Sequence, residues 1–363
     1  MYLLALLIFL TFMCTACAVI MLEAVARRHG FIVHPGGRKA HNTPTPPVGG
    51  LAIVPVVVVI GVGGSCLALK CPAILPLPVL LCILGLLVLG AADDRWQLSA
   101  KIKFVAQLLA ALAAVSNGLV LHDLGSLFAL GGVELGAFAV PFTVLALVVL
   151  MNAVNMVDGV DGLAGSLLLI MSVALACMAM IAGQVDLAVL MGCTAAAITA
   201  FLMFNMRFPW QHRARVFLGD AGSMSLAFFI GCVAIKLADG AGPGVGVEPG
   251  FLALILIFPV IDAMGVIIRR LRKGMTPFEP DRGHLHHHLL DSGFSVTATV
   301  SMFGMVQLGL TVFALAGIWF GWSPLAATIL IFGVAGIHHA LIVLPVRPVR
   351  FKPVAGGPRW LYR

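Results

Sequence analysis

The sequence predicts an all-α, polytopic membrane protein with about eleven transmembrane helices. Three observations carry that prediction. Hydrophobic residues make up 61% of the 363 residues and charged residues only 10%. The mean hydropathy is +1.09. Apolar stretches of about 20 residues, the length that crosses a bilayer core, recur along the chain between polar or Gly/Pro breaks. This composition excludes a soluble globular domain of this length.

The expected spans run Leu3 to Val25, Val48 to Leu69, Ala73 to Ala92, Ile102 to Leu121, Ala137 to Met156 and Leu163 to Ala182. They continue through Val185 to Met206, Gly219 to Leu237, Phe251 to Ile268, Val296 to Trp319 and Pro324 to Leu344. If the first span ends in the cytoplasm, 20 of the 22 Lys and Arg fall on that side and only Lys70 and Lys236 fall outside. The positive-inside rule then sets the N-terminus outside and the C-terminus in the cytoplasm. The first span lacks a basic leader and is long for a signal peptide, so it is expected to stay as a helix. Residues 1–345 are expected to form one transmembrane domain, and residues 346–363 a basic cytoplasmic tail.

A net charge of +7 is accounted for by basic loops beside anionic lipid, with no nucleic-acid partner. The cysteines lie in or beside apolar segments. Cys14 and Cys17 suit packing in a span better than redox chemistry, whereas Cys66 and Cys71 lie near the outer face, where pairing stays open. On that face Gly131 to Gly136 could turn a short hairpin.

Five cytoplasmic segments carry the chemistry. The first, Arg38 to Gly50, has Pro44, Pro46 and Pro47 to hold it extended. Its paired cations, Lys39 included, suit a phosphate, and Gly49 and Gly50 allow a close approach to a ligand or a neighbouring helix. The second places Asp93 and Asp94 at the end of an apolar helix, where two carboxylates meet the negative end of the dipole and call for a cation. Arg95, Lys101 and Lys103 follow within reach.

The third segment, Asn152 to Gly165, sets polar residues every third position with a glycine after both Asp158 and Asp161. On an unbroken helix those side chains would drift around the axis. The glycines therefore predict a break that lets Asn155, Asp158 and Asp161 converge. A carboxylate within a span costs about 2.5–3.5 kcal/mol on insertion scales, so two of them point to function.

In the fourth segment, Arg213 to Ser223, Asp220 opens a span. It could cap that helix or serve an anion- or metal-binding site there. In the fifth, Asp281-Arg282-Gly283-His284-Leu285-His286-His287-His288, a helix would put His284, His287 and His288 on one face. With no cysteine near, imidazoles and guanidiniums suit an anionic, hydroxyl-rich ligand better than zinc. Together the segments offer Asp and Asn oxygens for Mg²⁺, with Mn²⁺ as the alternative. They also offer cations for phosphates, the combination that phosphoryl transfer uses.

These five segments, spread from residue 38 to 294, resemble the polyprenyl-phosphate N-acetylhexosamine-1-phosphate transferase family, glycosyltransferase family 4. The likeness is strongest in Asn152 to Gly165 and Pro277 to Phe294, and the histidine segment is similar to its GlcNAc-type branch. One departure is Gln97, where the family often has a third aspartate.

The resemblance implies transfer of GlcNAc-1-phosphate from UDP-GlcNAc to undecaprenyl phosphate, releasing UMP and starting a lipid-linked surface polysaccharide such as O-antigen. It implies that Asn155 and Asp220 hold the metal, that Asp161 reads the uracil, and that Lys39, Asp158, Arg282, His284, His286 and His287 meet the donor. It also implies that Asp93, Asp94 and Lys103 serve the acceptor phosphate, with Asp94 taking its proton. A homodimer is left open.

The alternatives are a related donor, of FucNAc, QuiNAc or MurNAc-pentapeptide type, or a different class altogether. A secondary transporter would gather its acids near the midplane, and an intramembrane aspartyl protease would set two aspartates face to face within the bilayer.

Overall fold

In the computed structural model the described residues are 2–33, 44–69, 74–127, 131–239, 246–272, 274–276 and 283–343. Among them the chain is helical and has no strand, only isolated bridges. Ten helices are long and apolar enough to cross a membrane, and the chain is a multi-pass membrane protein. Lys39, Arg282, Cys71 and the tail from residue 344 lie outside the described residues.

α1 (Tyr2–Arg28) is followed by α2 (Gly49–Val56), a π-helical stretch (Val57–Gly64) and α3 (Ser65–Leu69), which together make the second span. α4 (Leu77–Trp96), α5 (Ala100–Ser116), α6 (Ala139–Val157), α7 (Leu163–Ile181), α8 (Val185–Asn205), α9 (Gly219–Asp239) and α10 (Pro249–Arg272) come next. The short α11 (Leu285–Asp291) precedes α12 (Val296–Phe320) and α13 (Leu325–Val343).

The eleventh expected span, Ile102 to Leu121, is the one that differs. Its helix, α5, has 17 residues and rises only about 25 Å. The chain turns at Asn117 and at Gly118, which has φ 86°, so Leu119 to Leu121 lie beyond the helix. α5 still runs antiparallel to α6. Asn152 donates to Gln107 at 2.6 Å near one end, and the Leu121 N–H donates to Thr143 Oγ1 at 2.9 Å near the other. At that second end Leu124 and Val133 pair across a short hairpin, and the Ser126 N–H is held by Glu248 at 2.7 Å.

α9 is the central helix, packed by α4, α6 and α2, and nearly every residue from Gly219 to Leu237 is buried. Lipid tails offer no hydrophobic drive for helix association, so close backbone packing must supply it. Small residues make that approach. A Cβ on Gly50 would lie 2.2 Å from the Gly222 nitrogen, and one on Gly90 would lie 2.3 Å from the Ala221 nitrogen. The glycines of the first cytoplasmic segment thus serve helix packing. Large apolar residues such as Leu67, Leu109 and Phe332 stay on the outer surface, where a bilayer would cover them.

Candidate active site

The C-terminal end of α4, the start of α5, the α6–α7 junction, the α8–α9 connection and α11 all meet at one end of the bundle. Between them is a cavity of about 260 Å³ lined by Asp94, Asn155, Asp158, Asp161, Asp220 and His287, among others.

Asp93 and Asp94 are adjacent but do different things. Asp94 turns to the start of α9 and accepts the Asp220 N–H at 3.1 Å and the Ala221 N–H at 3.4 Å. It therefore caps that helix from another element, where the dipole favours a carboxylate. Gly219 permits the arrangement, since its φ is +77° and a Cβ there would strike the Asp94 carboxylate. Asp93 instead pairs with Lys103 at 2.7 Å, and the same ammonium reaches Asp220 at 3.0 Å. Lys103 is thus the cation that the adjacent carboxylates call for. Arg95 points away and donates to the Gly30 carbonyl at 2.7 Å.

The expected break in the third segment lies between α6, which ends at Val157, and α7, which starts at Leu163. Gly162 has φ +82°, with Met206 packed against the place a Cβ would take. The Gly162 N–H donates to Asn205 Oδ1 at 2.8 Å, and Asn205 donates to the Val216 carbonyl at 2.9 Å. Asn205, not singled out from the sequence, therefore ties the third segment to the fourth. Asp161, with a side chain only 8% exposed, accepts from Arg207 Nε at 2.8 Å. It also accepts the Ala214 N–H at 3.2 Å, and both bonds fall on Oδ2. Arg207 entered the sequence reading only as one more cytoplasmic charge. Asn155 donates to Ser223 Oγ at 2.9 Å.

The histidines depart from the expected shared face. α11 begins at Leu285, and His284 precedes it in extended geometry with φ −68° and ψ 148°, so it lies off the helix. Its Nδ1 meets Asp262 at 2.8 Å. His287 lines the cavity, while His288 turns to Arg269 at 3.1 Å. His286 is buried, and its ring sits against Gly159 of the third segment.

The oxygen donors around the cavity are carboxylates and amides, the set a hard divalent ion prefers. Asn155 and Asp220 both line the cavity and offer an amide and a carboxylate oxygen to such an ion.

Residues 76–238 match the family described as Glycosyl transferase family 4. The chain is similar to an undecaprenyl-phosphate alpha-N-acetylglucosaminyl 1-phosphate transferase of Salmonella typhi, 33% identical over 78% of this chain and 76% of that protein. It is similar to the protein of the same name in Yersinia pestis, 32% identical over 81% of this chain and 78% of the relative. The one from Haemophilus influenzae is 33% identical over 79% of each. Likeness of this depth along most of the length, with the matched family region running from α4 through α9, means that the chain belongs to glycosyl transferase family 4.

Proposed function

We propose that this protein transfers N-acetylglucosamine-1-phosphate from UDP-GlcNAc to undecaprenyl phosphate, releasing UMP, at the cytoplasmic face of a bacterial inner membrane. The observation that carries the reading is the convergence of Asp94, Asn155, Asp158, Asp161, Asp220 and His287, from separate helix ends, on one cavity. The names of the relatives supply the substrates. Acids gathered at one end of the bundle also suit a transferase better than a transporter with a midplane site.

In this reading Asn155 and Asp220 hold Mg²⁺, which when bound would neutralise charge on the donor diphosphate. Asp161 has Oδ2 fixed by Arg207 and Ala214, which leaves Oδ1 to accept the uracil N–H. His287, with Asp158, meets the sugar and diphosphate, the buried His286 backs them through Gly159, and Lys39 and Arg282 add cationic contacts. Lys103, already balancing Asp93 and Asp220, offers its ammonium to the acceptor phosphate. Asp94 lines the cavity while it accepts the Asp220 and Ala221 N–H groups, and its carboxylate takes the acceptor's proton. Catalysis is then mostly positioning and charge balance, as phosphoryl transfer requires.

The test is to incubate purified protein with undecaprenyl phosphate and a panel of UDP-sugars, following UMP and lipid product. UMP release with UDP-GlcNAc, dependent on the lipid phosphate, supports the reading. Intact substrates, or preference for another UDP-sugar, would overturn the activity or the donor assignment respectively.

A further inference from the structure

Asp262 lies within the apolar run of α10, well short of the Arg269 to Arg272 end of that helix, and its exposure is 0%. A buried carboxylate is costly unless every lone pair is answered. Three donors from two other elements answer this one. His284 Nδ1 lies 2.8 Å from Oδ2, while the Leu285 N–H and His338 Nε2 each lie 2.9 Å from Oδ1. His284 and Leu285 are the entry to α11, and His338 comes from α13, 76 residues further along the chain. A carboxylate only accepts, so it selects the Nδ1–H form of His284 and the Nε2–H form of His338 and fixes both rings.

The contacts continue to the site. The His284 ring stacks on His286 with centroids 5.3 Å apart, and His286 lies 4.3 Å from His287. A Cβ on Gly159 would meet His286 Nε2 at 3.4 Å, and His287 lines the cavity. The path from the last span to the donor-facing loop is thus His338, Asp262, His284, His286, Gly159.

We propose that Asp262 and His338 are positioning residues for the reaction: together they aim the His284 to His288 segment at the donor cavity and make the last span part of the catalytic apparatus. This rests on the reading that the cavity binds a nucleotide sugar. Asp262, His284 and His286 also bring potential ligand atoms within 4.8 Å of one another. The carboxylate, however, already accepts three N–H groups at hydrogen-bond separations. An ion bound at about 2 Å would displace at least the His284 bond.

His338→Ala removes one donor from the carboxylate. His338→Gln keeps an N–H where Nε2 stood, and Asp262→Asn sets an amide against donors. We expect kcat/KM for UDP-GlcNAc to fall about 10- to 100-fold in His338→Ala and Asp262→Asn, the range seen when groups that orient binding residues are lost. The KM for undecaprenyl phosphate should hold, and His338→Gln should recover most of the loss. Detergent melting temperatures run alongside. If His338→Ala does not fold, His338→Asn, whose donor falls one methylene short, takes its place.

Unchanged donor kinetics in folded His338→Ala or His338→Asn, equal loss on both substrates, or no rescue by Gln would overturn the proposal. So would stoichiometric zinc in the purified wild type. An inactive wild type would instead refute the transferase reading, so the two failures are distinguishable.

Discussion

Replacing Lys103 with Met keeps the length of the side chain and removes its charge. Two charge-assisted hydrogen bonds disappear, at 2.7 Å to Asp93 and 3.0 Å to Asp220. Such bonds are worth about 1.5–3 kcal/mol each when well shielded. Here the ammonium side is 24% exposed and the partners 9% and 27%, so the lower end applies and the pair together contributes about 3 kcal/mol. If the acceptor phosphate takes over those contacts in the transition state, the loss appears as roughly a 100-fold fall in kcat/KM for undecaprenyl phosphate, at about 1.4 kcal/mol per tenfold. Asp161→Ala is the counterpart, because Asp161 lies on a different connection and is paired with Arg207. It should raise KM for UDP-GlcNAc and leave KM for the lipid nearly unchanged. The assay is UMP release in detergent with one substrate varied at a time. Lys103→Met and Asp161→Ala raising both KM values alike would refute the division into two subsites, even with the enzyme class intact.

Chelation should abolish turnover and added Mg²⁺ restore it, with Asp220→Asn and Asn155→Ala raising the Mg²⁺ needed for half-maximal rate; near-normal turnover of stripped protein in EDTA would remove the metal from the mechanism. A reporter fused at Arg363 should read cytoplasmic and one near Glu134 external, and the reverse would put the site out of reach of cytoplasmic nucleotide sugars. Gly90→Ala should lower the detergent melting temperature by separating α4 from α9, because a Cβ would lie 2.3 Å from the Ala221 nitrogen and overpacking costs about 1–3 kcal/mol. It should also lower activity, since Asp94 caps α9 one turn further on. A stable, active variant would show that the two helices can part cheaply.

The spans were legible because a bilayer demands long apolar runs, and the break near Asp158 was legible because glycines follow both aspartates. Two features of the site follow from three-dimensional rather than local relations and were harder to foresee. His284 was expected to share a helix face with His287 and His288, but an extended residue at a helix entry obeys no helical spacing, and its ring went to Asp262. Arg207 looked like one more positive-inside charge until the fold brought it to Asp161. Asp262 did carry a signal, since a lone aspartate in an apolar span asks for a partner. His338 in the last span was the other half of that signal. The shortened α5 could be traced to Asn117 and Gly118, a turn dipeptide inside the expected span.

The ion pair between Glu23 of α1 and Arg215 of the α8–α9 connection, 2.7 Å long, joins residues 192 positions apart. During synthesis the first span therefore enters the membrane long before its distant partner exists. Arg27, one turn away at 3.0 Å, gives Glu23 a local companion for that interval. The α8–α9 connection thus gains its tether to α1 only after α2 to α8 have emerged, and the order of translation becomes an order of assembly for this end of the bundle.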